Sequence, residues 1–259
     1  MERPDAHALL AVAHDAALLG GALLRERFEG GHERRIASKS TPTDPVSEAD
    51  LASQRAIREL IGARRPADGF LGEEEGADQA GSSGLRWVVD PLDGTVNFLY
   101  GIAQWSVSVA VRDEDGALAG VVHNPIAPET FAAVRGEPPT RNGVPVRSRA
   151  EDAPALAESL VATGFAYAAA VRAQQGAVVA RLLPRVRDIR RLGSAALDLA
   201  GVAVGRYDAY FERGVKPWDT TAGELICVSA GLAVRAIPDG ILVAPPALAD
   251  ELESIVAGC

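Results

Sequence analysis

Hydrophobic residues recur with the period of an amphipathic helix in several segments of the chain. The predicted helices cover residues 4–28, 47 to about 61, 171–183, 194–204, 218–230 and 246–256. Gly30-Gly31 follows the first of these segments and is a strong helix stop. The segment 36–46 contains two prolines and small polar residues, which predict a loop or a hairpin.

Shorter apolar and β-branched runs, separated by turn residues, predict strands between these helices. Asp115-Gly116 joins two such runs and is a typical hairpin turn, and Asn142-Gly143 is a second candidate for a tight turn. The predicted strands cover residues 70–72, 87–89, 104–112, 117–123, 131–134, 144–146, 158–163, 188–191, 207–211, 233–236 and 241–244. The strand 87–89 is expected to end at Pro91, because proline cannot donate to a sheet ladder.

The order of these elements predicts the fold class. Antiparallel runs dominate after residue 86, whereas strands and helices alternate after residue 150. This pattern predicts a mixed α/β (α+β) protein in which two sheets are layered among helices. The chain has 259 residues, of which 47% are hydrophobic, which is enough for one large core. We expect a single domain over 1–259, with sub-domains of about 1–150 and 151–259.

Acidic residues stand at the ends of predicted elements in four separate places. They are Asp50, Glu73, the pair Asp90 and Asp93, and Asp219. Each place alone has an ordinary explanation as a helix cap, a turn or a solvated loop. Carboxylates at strand ends also bind hard cations, and the backbone amides of Gly94 and Thr95, next to Asp93, can bind phosphate. The pattern therefore points to a metal-assisted phosphate site.

The composition narrows the class of partner. The formal net charge is −9, and no long block of Lys or Arg predicts a nucleic-acid groove. An acidic protein that binds an anionic substrate needs bound cations to reverse the local field. The two cysteines form no CxxC pair, so neither zinc nor a disulfide framework is indicated. Charged residues near the N-terminus argue against a signal peptide or a membrane span, so we expect a cytoplasmic protein. Four scattered histidines are expected to be surface or structural residues: His7, His14, His32 and His123.

The acidic segments carry motifs that closely resemble those of the inositol monophosphatase family, which are magnesium-dependent, lithium-sensitive sugar phosphatases. The matching motifs are Gly72-Glu73-Glu74, the run WVVDPLDGTVNF at 87–98 and the run WDTTAG at 218–223. The segments 38–50 and 191–196 match as well, so the resemblance spans roughly residues 5–245. It implies a five-layered αβαβα sandwich.

The resemblance also implies the ligands of two to three Mg²⁺ ions. Glu73, Asp90 and the backbone carbonyl of Leu92 would hold the first ion, and Glu73 would share a weaker third ion. Asp90, Asp93 and Asp219 would hold the second. The first half of the chain would thus be mainly the metal-binding half.

The same resemblance implies contacts with the substrate. Gly94 and Thr95 would present amides to the phosphate, and Lys39 would be a basic residue near the site. Four positions in the second half match those that contact the hydroxyls of the substrate: Gly193, Ser194, Ala195 and Glu212.

Our mechanistic hypothesis is direct, in-line attack by a metal-activated water, without a phosphoenzyme. Thr95 and Asp50 would form a hydrogen-bonded pair that orients and deprotonates this water, and Glu73 would assist. Neither a Cys nor a Ser nucleophile with a paired His is apparent in the sequence.

The residues after the aspartate motif favour one substrate among several. Val96 and Tyr100-Gly101 look most like the bacterial inositol monophosphatases, which favours inositol 1-phosphate as the substrate. The family resemblance alone implies a homodimer. Histidinol phosphate, fructose 1,6-bisphosphate and 3′-phosphoadenosine nucleotides are alternatives with the same chemistry. A catalytically silent binding module is the alternative from another class. The segments 135–143 and 231–245 depart from the family pattern, and 77–84 is a candidate mobile flap.

Overall fold

A computed structural model describes residues 5–30, 36–38, 45–74 and 78–257. Each predicted helix is confirmed, with ends that differ by a few residues, and one short helix was not predicted. The α-helices of the described residues are α1 (Ala6–Glu29), α2 (Glu48–Arg64), α3 (Thr95–Tyr100), α4 (Ala169–Leu182), α5 (Ala195–Ala203), α6 (Pro217–Ser229) and α7 (Pro246–Val256). The unpredicted helix α3 directly follows the aspartate motif.

Each predicted strand is also found, together with short additional strands. The strands are β1 (Ile36–Ser38), β2 (Pro45–Ser47), β3 (Gly69–Gly72), β4 (Asp78–Gln79), β5 (Arg86–Asp93), β6 (Ser106–Asp113), β7 (Gly116–Asn124), β8 (Glu129–Val134), β9 (Thr140–Arg141), β10 (Val144–Pro145), β11 (Leu160–Thr163), β12 (Asp188–Arg190), β13 (Ala209–Arg213), β14 (Ala233–Ile237) and β15 (Gly240–Ala244). Strands β1 and β2 form an antiparallel pair, as the hairpin alternative for 36–46 requires, and residues 39–44 lie outside the described residues.

The other strands form two sheets. One sheet has eight strands in the order β10-β9-β8-β7-β6-β5-β3-β4, and the other has five in the order β12-β11-β13-β15-β14. The eight-stranded sheet is antiparallel except for the pair β3 and β5. In the five-stranded sheet, β11 runs parallel to both β12 and β13. Both sheets are therefore mixed, as the α/β prediction requires.

Helices separate and cover these sheets. Helices α1 and α2 pack on one face of the eight-stranded sheet, and α5 and α6 lie between the two sheets. Helices α4 and α7 contact each other, and α7 covers the outer face of the five-stranded sheet. The result is the five-layered αβαβα sandwich that the resemblance implied.

Helix α1 is long and apolar enough to cross a membrane by length and composition alone. In this fold, however, it packs against β6, β7 and α2. Gly20 and Gly21 allow this close approach: a Cβ atom at Gly21 would lie 2.6 Å from Cδ2 of His123. His123 is buried and its Nδ1 lies 2.9 Å from the Thr130 hydroxyl, so it is a structural histidine. Helix α1 therefore acts here as a core helix.

Strand β5 does not end at Pro91, as the sequence predicted, but continues to Asp93. Its neighbour β3 pairs only with the part of β5 before Asp90, so no ladder partner on that side requires the amide that Pro91 lacks. On the other side, the register with β6 shifts between Asp90 and Asp93. This irregularity displaces the two aspartates from regular pairing and keeps them at the end of the strand.

Helix α6 lies unusually close to strand β7. A Cβ atom on Gly120 would come within 3.0 Å of the Cα atom of Ala222. The absence of a side chain at Gly120 therefore allows α6 to pack directly on the sheet. The start of the same helix carries Asp219.

We expect Gly120→Ala to lower the free energy of unfolding by about 1–3 kcal/mol, because the added methyl group forces α6 away from β7. Urea denaturation measures this change. Gly62→Ala is the matched control, because the Cβ it would add has no atom within 4 Å apart from the adjacent residues and the backbone of its own helix, and it should not destabilise the protein. Equal stability of Gly120→Ala and the wild type would contradict the close contact.

Candidate active site

A cleft of about 400 Å³ opens where the end of β5 faces the starts of α5 and α6 and the end of β13. Both sheets contribute to its walls. Among the residues that line it are Glu73, Asp90, Leu92, Asp93, Gly94, Thr95, Gly193, Ala195, Glu212 and Asp219. The structure thus brings together residues that the sequence placed in separate segments.

Asp90 lies at the centre of the carboxylates and is 2% exposed. Its Oδ1 atom accepts a hydrogen bond of 3.0 Å from the backbone amide of Leu92, which fixes the turn after the irregularity in β5. Burial raises the pKa of Asp90 well above its usual range, and the neighbouring charges of Glu73 and Asp93 raise it further. Negative charge is therefore concentrated around Asp90.

Three acids form a second group on the α2 side of the cleft. Carboxylate oxygens of Asp50, Glu73 and Glu74 lie within 4.8 Å of one another, a separation that a metal ion could bridge. Asp50 is held in the first turn of α2 and is only 1% exposed. The side-chain oxygen of Gln54, also on α2, accepts a hydrogen bond of 3.1 Å from the amide of Glu74. The strand end of β3 is thereby tied to α2.

Asp93 is anchored at the start of α5. Its carboxylate accepts hydrogen bonds from the backbone amides of Ala195 at 3.2 Å and Ala196 at 2.9 Å, and from the hydroxyl of Ser194. A helix start stabilises a carboxylate through its free amides and its dipole. Burial nevertheless raises the pKa of Asp93, although these hydrogen bonds oppose the rise. Ser194 and Ala195, expected to contact the substrate, here hold Asp93.

Asp219 is the third residue of α6 rather than its N-cap. Its carboxylate accepts a hydrogen bond of 2.6 Å from the backbone amide of Lys216, the residue before the helix. Pro217 occupies the first helical position, so the helix starts one residue earlier than predicted. Burial raises the pKa of Asp219 well above its usual range, and the charges of Asp93 and Glu73 add to the rise.

Gly94 and Thr95 form the turn from β5 into α3. Gly94 has a φ of 96°, and a Cβ atom there would lie 3.0 Å from the backbone oxygen of Gln104, so glycine is required. The hydroxyl of Thr95 donates to the carbonyl of Leu92 at 3.0 Å. This contact stands in place of the expected hydrogen bond to Asp50, because the carbonyl three residues earlier lies directly within reach of the hydroxyl.

The opposite wall carries Glu212, which the sequence placed just beyond a strand. The strand β13 begins and ends two residues later than predicted, so Glu212 lies within it. Burial raises the pKa of Glu212 to about 7, although a hydrogen bond from Tyr210 and the charge of Arg191 lower it. Gly193, with a φ of 93°, lies in the loop before α5.

Several residues of this region were missed by the sequence analysis. Ser106 donates to Asp93 at 3.3 Å, and the guanidinium of Arg191 lies 5.9 Å from the centre of the Phe165 ring. Asp198 is buried in α5, and one of its oxygens has no hydrogen-bond partner in the described residues. Lys39 lies outside the described residues, so its predicted place near the site stays a prediction.

The donor atoms of the cleft fit a hard divalent cation. They include several carboxylate oxygens, which are ligands that Mg²⁺ and Ca²⁺ prefer, and no Cys or His lines the described part of the cleft. The raised pKa values of Asp90, Asp93 and Asp219 share one cause, which is burial, and neighbouring negative charges raise those of Asp90 and Asp219 further. A bound cation would offset this repulsion.

Comparisons with known proteins agree with this site. The model of the inositol monophosphatase family matches residues 5–252. The inositol-1-monophosphatase of Mycobacterium leprae is 43% identical over 84% of this chain and 79% of its own length. The Nus factor SuhB of Pasteurella multocida is 42% identical over 86% of this chain and 83% of its own length. The crystal structure of the extragenic suppressor protein suhB from Bartonella henselae superposes with a TM-score of 0.90 at 32% identity, covering 97% of this chain and 99% of that one.

The layered fold, the acidic cleft and these relatives define the class of the protein: it is a hydrolase of the phosphatase type. Its acidic cluster is compatible with the metal dependence that is general in such enzymes. Within this class, the chain belongs to the inositol monophosphatase family.

Proposed function

We propose that the protein is a Mg²⁺-dependent phosphatase that releases phosphate from inositol 1-phosphate. The observation that carries this proposal is the convergence of Glu73, Asp90, Asp93 and Asp219 on one cleft beside the turn at Gly94 and Thr95, with Asp50 of α2 next to Glu73. Like-charged buried groups are costly unless a cation joins them. The name of the Mycobacterium leprae relative supports inositol 1-phosphate as the first substrate to test.

The family resemblance supports two sets of metal ligands. Glu73, Asp90 and the carbonyl of Leu92 would hold one Mg²⁺ ion, and Asp90, Asp93 and Asp219 a second. A third ion would share Glu73. When bound, such ions lower the pKa of a water, polarise the phosphate and neutralise the leaving oxygen. The carboxylates supply the negative charge that makes this binding favourable.

The side chains around the phosphate would orient the attacking water and accept its proton. The proton of the Thr95 hydroxyl is engaged with the Leu92 carbonyl, so its oxygen is left to accept a hydrogen bond from the attacking water. Asp50, held rigidly in α2 and close to Glu73, would take the proton of this water. The amides of Gly94 and Thr95 would hold the phosphate oxygens in line.

The far wall of the cleft would bind the alcohol part of the ester. Glu212 would accept a hydroxyl of the polyol, and Gly193, Ser194 and Ala195 would shape the surface beneath it. Arg191 lies on the same side and brings positive charge toward Glu212. Polar groups of this kind suit a substrate with several hydroxyls.

The remaining expectations from the resemblance stay predictions. They are a homodimer, sensitivity to lithium, a cytoplasmic location and the absence of nucleic-acid and membrane partners. A binding role without catalysis is the candidate from another class, and the Pasteurella multocida relative is named as a Nus factor. Calorimetric titration with Mg²⁺ separates the two, because a silent module should show no binding in the millimolar range.

We expect phosphate release from inositol 1-phosphate in the presence of Mg²⁺ and none after removal of the metal with EDTA. The measurement is a panel that also contains histidinol phosphate, fructose 1,6-bisphosphate and 3′-phosphoadenosine 5′-phosphate. Restoration of activity by added Mg²⁺ is the control for damage by the chelator. Preference for another ester would change the substrate assignment and leave the metal assignment intact. Equal activity in EDTA would contradict the metal assignment.

A further inference from the structure

Glu212 is held by a tyrosine that belongs to the protein core. Tyr210 and Glu212 are two residues apart on β13, so their side chains lie on the same face of the strand. The hydroxyl of Tyr210 donates a hydrogen bond of 2.7 Å to Oε2 of Glu212. Tyr210 itself is 0% exposed and packs in the apolar cluster between the two sheets. A rigid, buried side chain thus directs the carboxylate.

The hydroxyl of Tyr210 has no role in filling the core. A phenylalanine would occupy nearly the same volume, and the next residue, Phe211, is a buried phenylalanine on the opposite face of the strand. Burial of a phenol hydroxyl is costly unless it finds a partner, and the hydrogen bond to Glu212 supplies one. The hydrogen bond to Glu212 is therefore what distinguishes tyrosine from phenylalanine at this position.

Gly164 holds the same carboxylate from the other side. A Cβ atom at Gly164 would lie 1.9 Å from Oε2 and 2.3 Å from Oε1 of Glu212. The carboxylate therefore lies flat against the backbone of Gly164 in the wall of the cleft, in space that any side chain would fill. Gly164 and Tyr210 thus contact the carboxylate of Glu212 from two sides, and Oε2 accepts the hydrogen bond from Tyr210.

We propose that Tyr210 is a positioning residue that occupies Oε2 of Glu212, so that Oε1 accepts a single hydroxyl of the substrate. This inference rests on the proposed function, and it names the feature of the substrate that the cleft selects. The preferred ester carries an alcohol group at a fixed place relative to the phosphate. An aryl ester without such an alcohol gains nothing from Glu212.

The charge of Glu212 is consistent with this arrangement. The hydrogen bond from Tyr210 favours the ionised carboxylate and so lowers the pKa of Glu212 against the effect of burial. Other charged groups also act on Glu212 or respond to it. They are Arg191, Asp93, Asp198 and Asp219.

The test is the ratio of two KM values, for inositol 1-phosphate and for p-nitrophenyl phosphate, in Tyr210→Phe and the wild type. We expect the ratio to rise roughly tenfold, near the lower end of what a hydrogen bond to a charged group contributes, with kcat for inositol 1-phosphate changed less than KM. Tyr207→Phe is the matched control, because Tyr207 is a neighbouring, partly buried phenol that packs against Gly201. It should leave the ratio unchanged.

A double-mutant cycle with Glu212→Ala distinguishes positioning from a general structural effect. If Tyr210 acts through Glu212, then Tyr210→Phe has no further effect on the ratio once Glu212 is gone. Additive effects of the two substitutions would overturn the proposal. Thermal unfolding of each variant shows whether it is folded.

A second measurement does not depend on any substrate. The ¹³C signal of the Glu212 carboxyl group reports its titration, and Tyr210→Phe should raise its pKa, since the lost hydrogen bond favoured the ionised form. If no ester releases phosphate but the pKa of Glu212 rises, the proposed function is rejected while the hydrogen bond from Tyr210 to Glu212 is supported. An unchanged pKa of Glu212 would reject the positioning role itself.

Discussion

Asp90→Asn should lower phosphate release on the order of a thousandfold, equivalent to about 4 kcal/mol of transition-state stabilisation. Asp90 is the residue that both proposed metal sites share, so the substitution removes charge from both. The fold should survive, because the oxygen of asparagine can still accept the hydrogen bond that the amide of Leu92 donates to Asp90. Loss of activity is then a loss of metal binding rather than of structure.

Calorimetric titration with Mg²⁺ and steady-state kinetics measure the two effects of this substitution separately. Asp78→Asn is the matched control, because Asp78 is an exposed acid paired with Arg86, and surface ion pairs contribute little. It should keep both activity and Mg²⁺ affinity. Near-normal turnover of Asp90→Asn would show that the ligand assignment is wrong.

Thr95→Val should lower kcat on the order of a hundredfold, at the lower end of what proton transfer by a positioned group contributes. Valine has the shape of threonine and lacks the hydroxyl, so the orientation of the attacking water is lost. The buried position tolerates the methyl group, although the carbonyl of Leu92 loses the hydrogen bond that Thr95 donates to it.

Thr95→Ser provides the comparison, since serine restores the hydroxyl and should recover most of the activity. Affinity for Mg²⁺ should be similar in both variants, which the same titration can check. If valine retained more than about a tenth of the wild-type kcat, the proposed role of Thr95 in orienting the water for proton transfer would be wrong.

Much of the fold was predictable because its elements carry local signals. Helix α1 ends at Glu29 with Gly30 as its cap, and the hairpin at Asp115-Gly116 joins β6 to β7. Helix α7 has the predicted bounds. Periodicity and turn residues are properties of short segments, so they survive in the complete structure.

The continuation of β5 past Pro91 was not predictable in the same way. The missing amide matters only if a neighbouring strand needs it, and the neighbour β3 ends before that point. The length of β3 is not encoded near Pro91. The expectation that proline ends a strand holds where both neighbouring strands are present. It failed here because β3 does not extend alongside Pro91.

Within the site, the carboxylates were visible in sequence but their anchors were not. Asp93 is held by Ser106 and by the start of α5, which are brought to it by the tertiary structure. Tyr210 looks like any core aromatic, and Asp198 is hidden within an apolar helical pattern. Residues that support a site do so through contacts between distant segments, which a local sequence pattern does not show.

The anchoring of Asp93 has a consequence for the order in which the protein folds. Asp93 and Ser194 are separated by 101 positions, and the loop that their contact closes contains β6 to β10 of the eight-stranded sheet and β11 and β12 of the five-stranded sheet. Contacts of such long range form late, because their closure entropy must be offset by structure already present. A chain emerging from the ribosome would thus complete its eight-stranded sheet before Asp93 contacts the start of α5. The recovery of activity during refolding would then measure when α5 docks against Asp93.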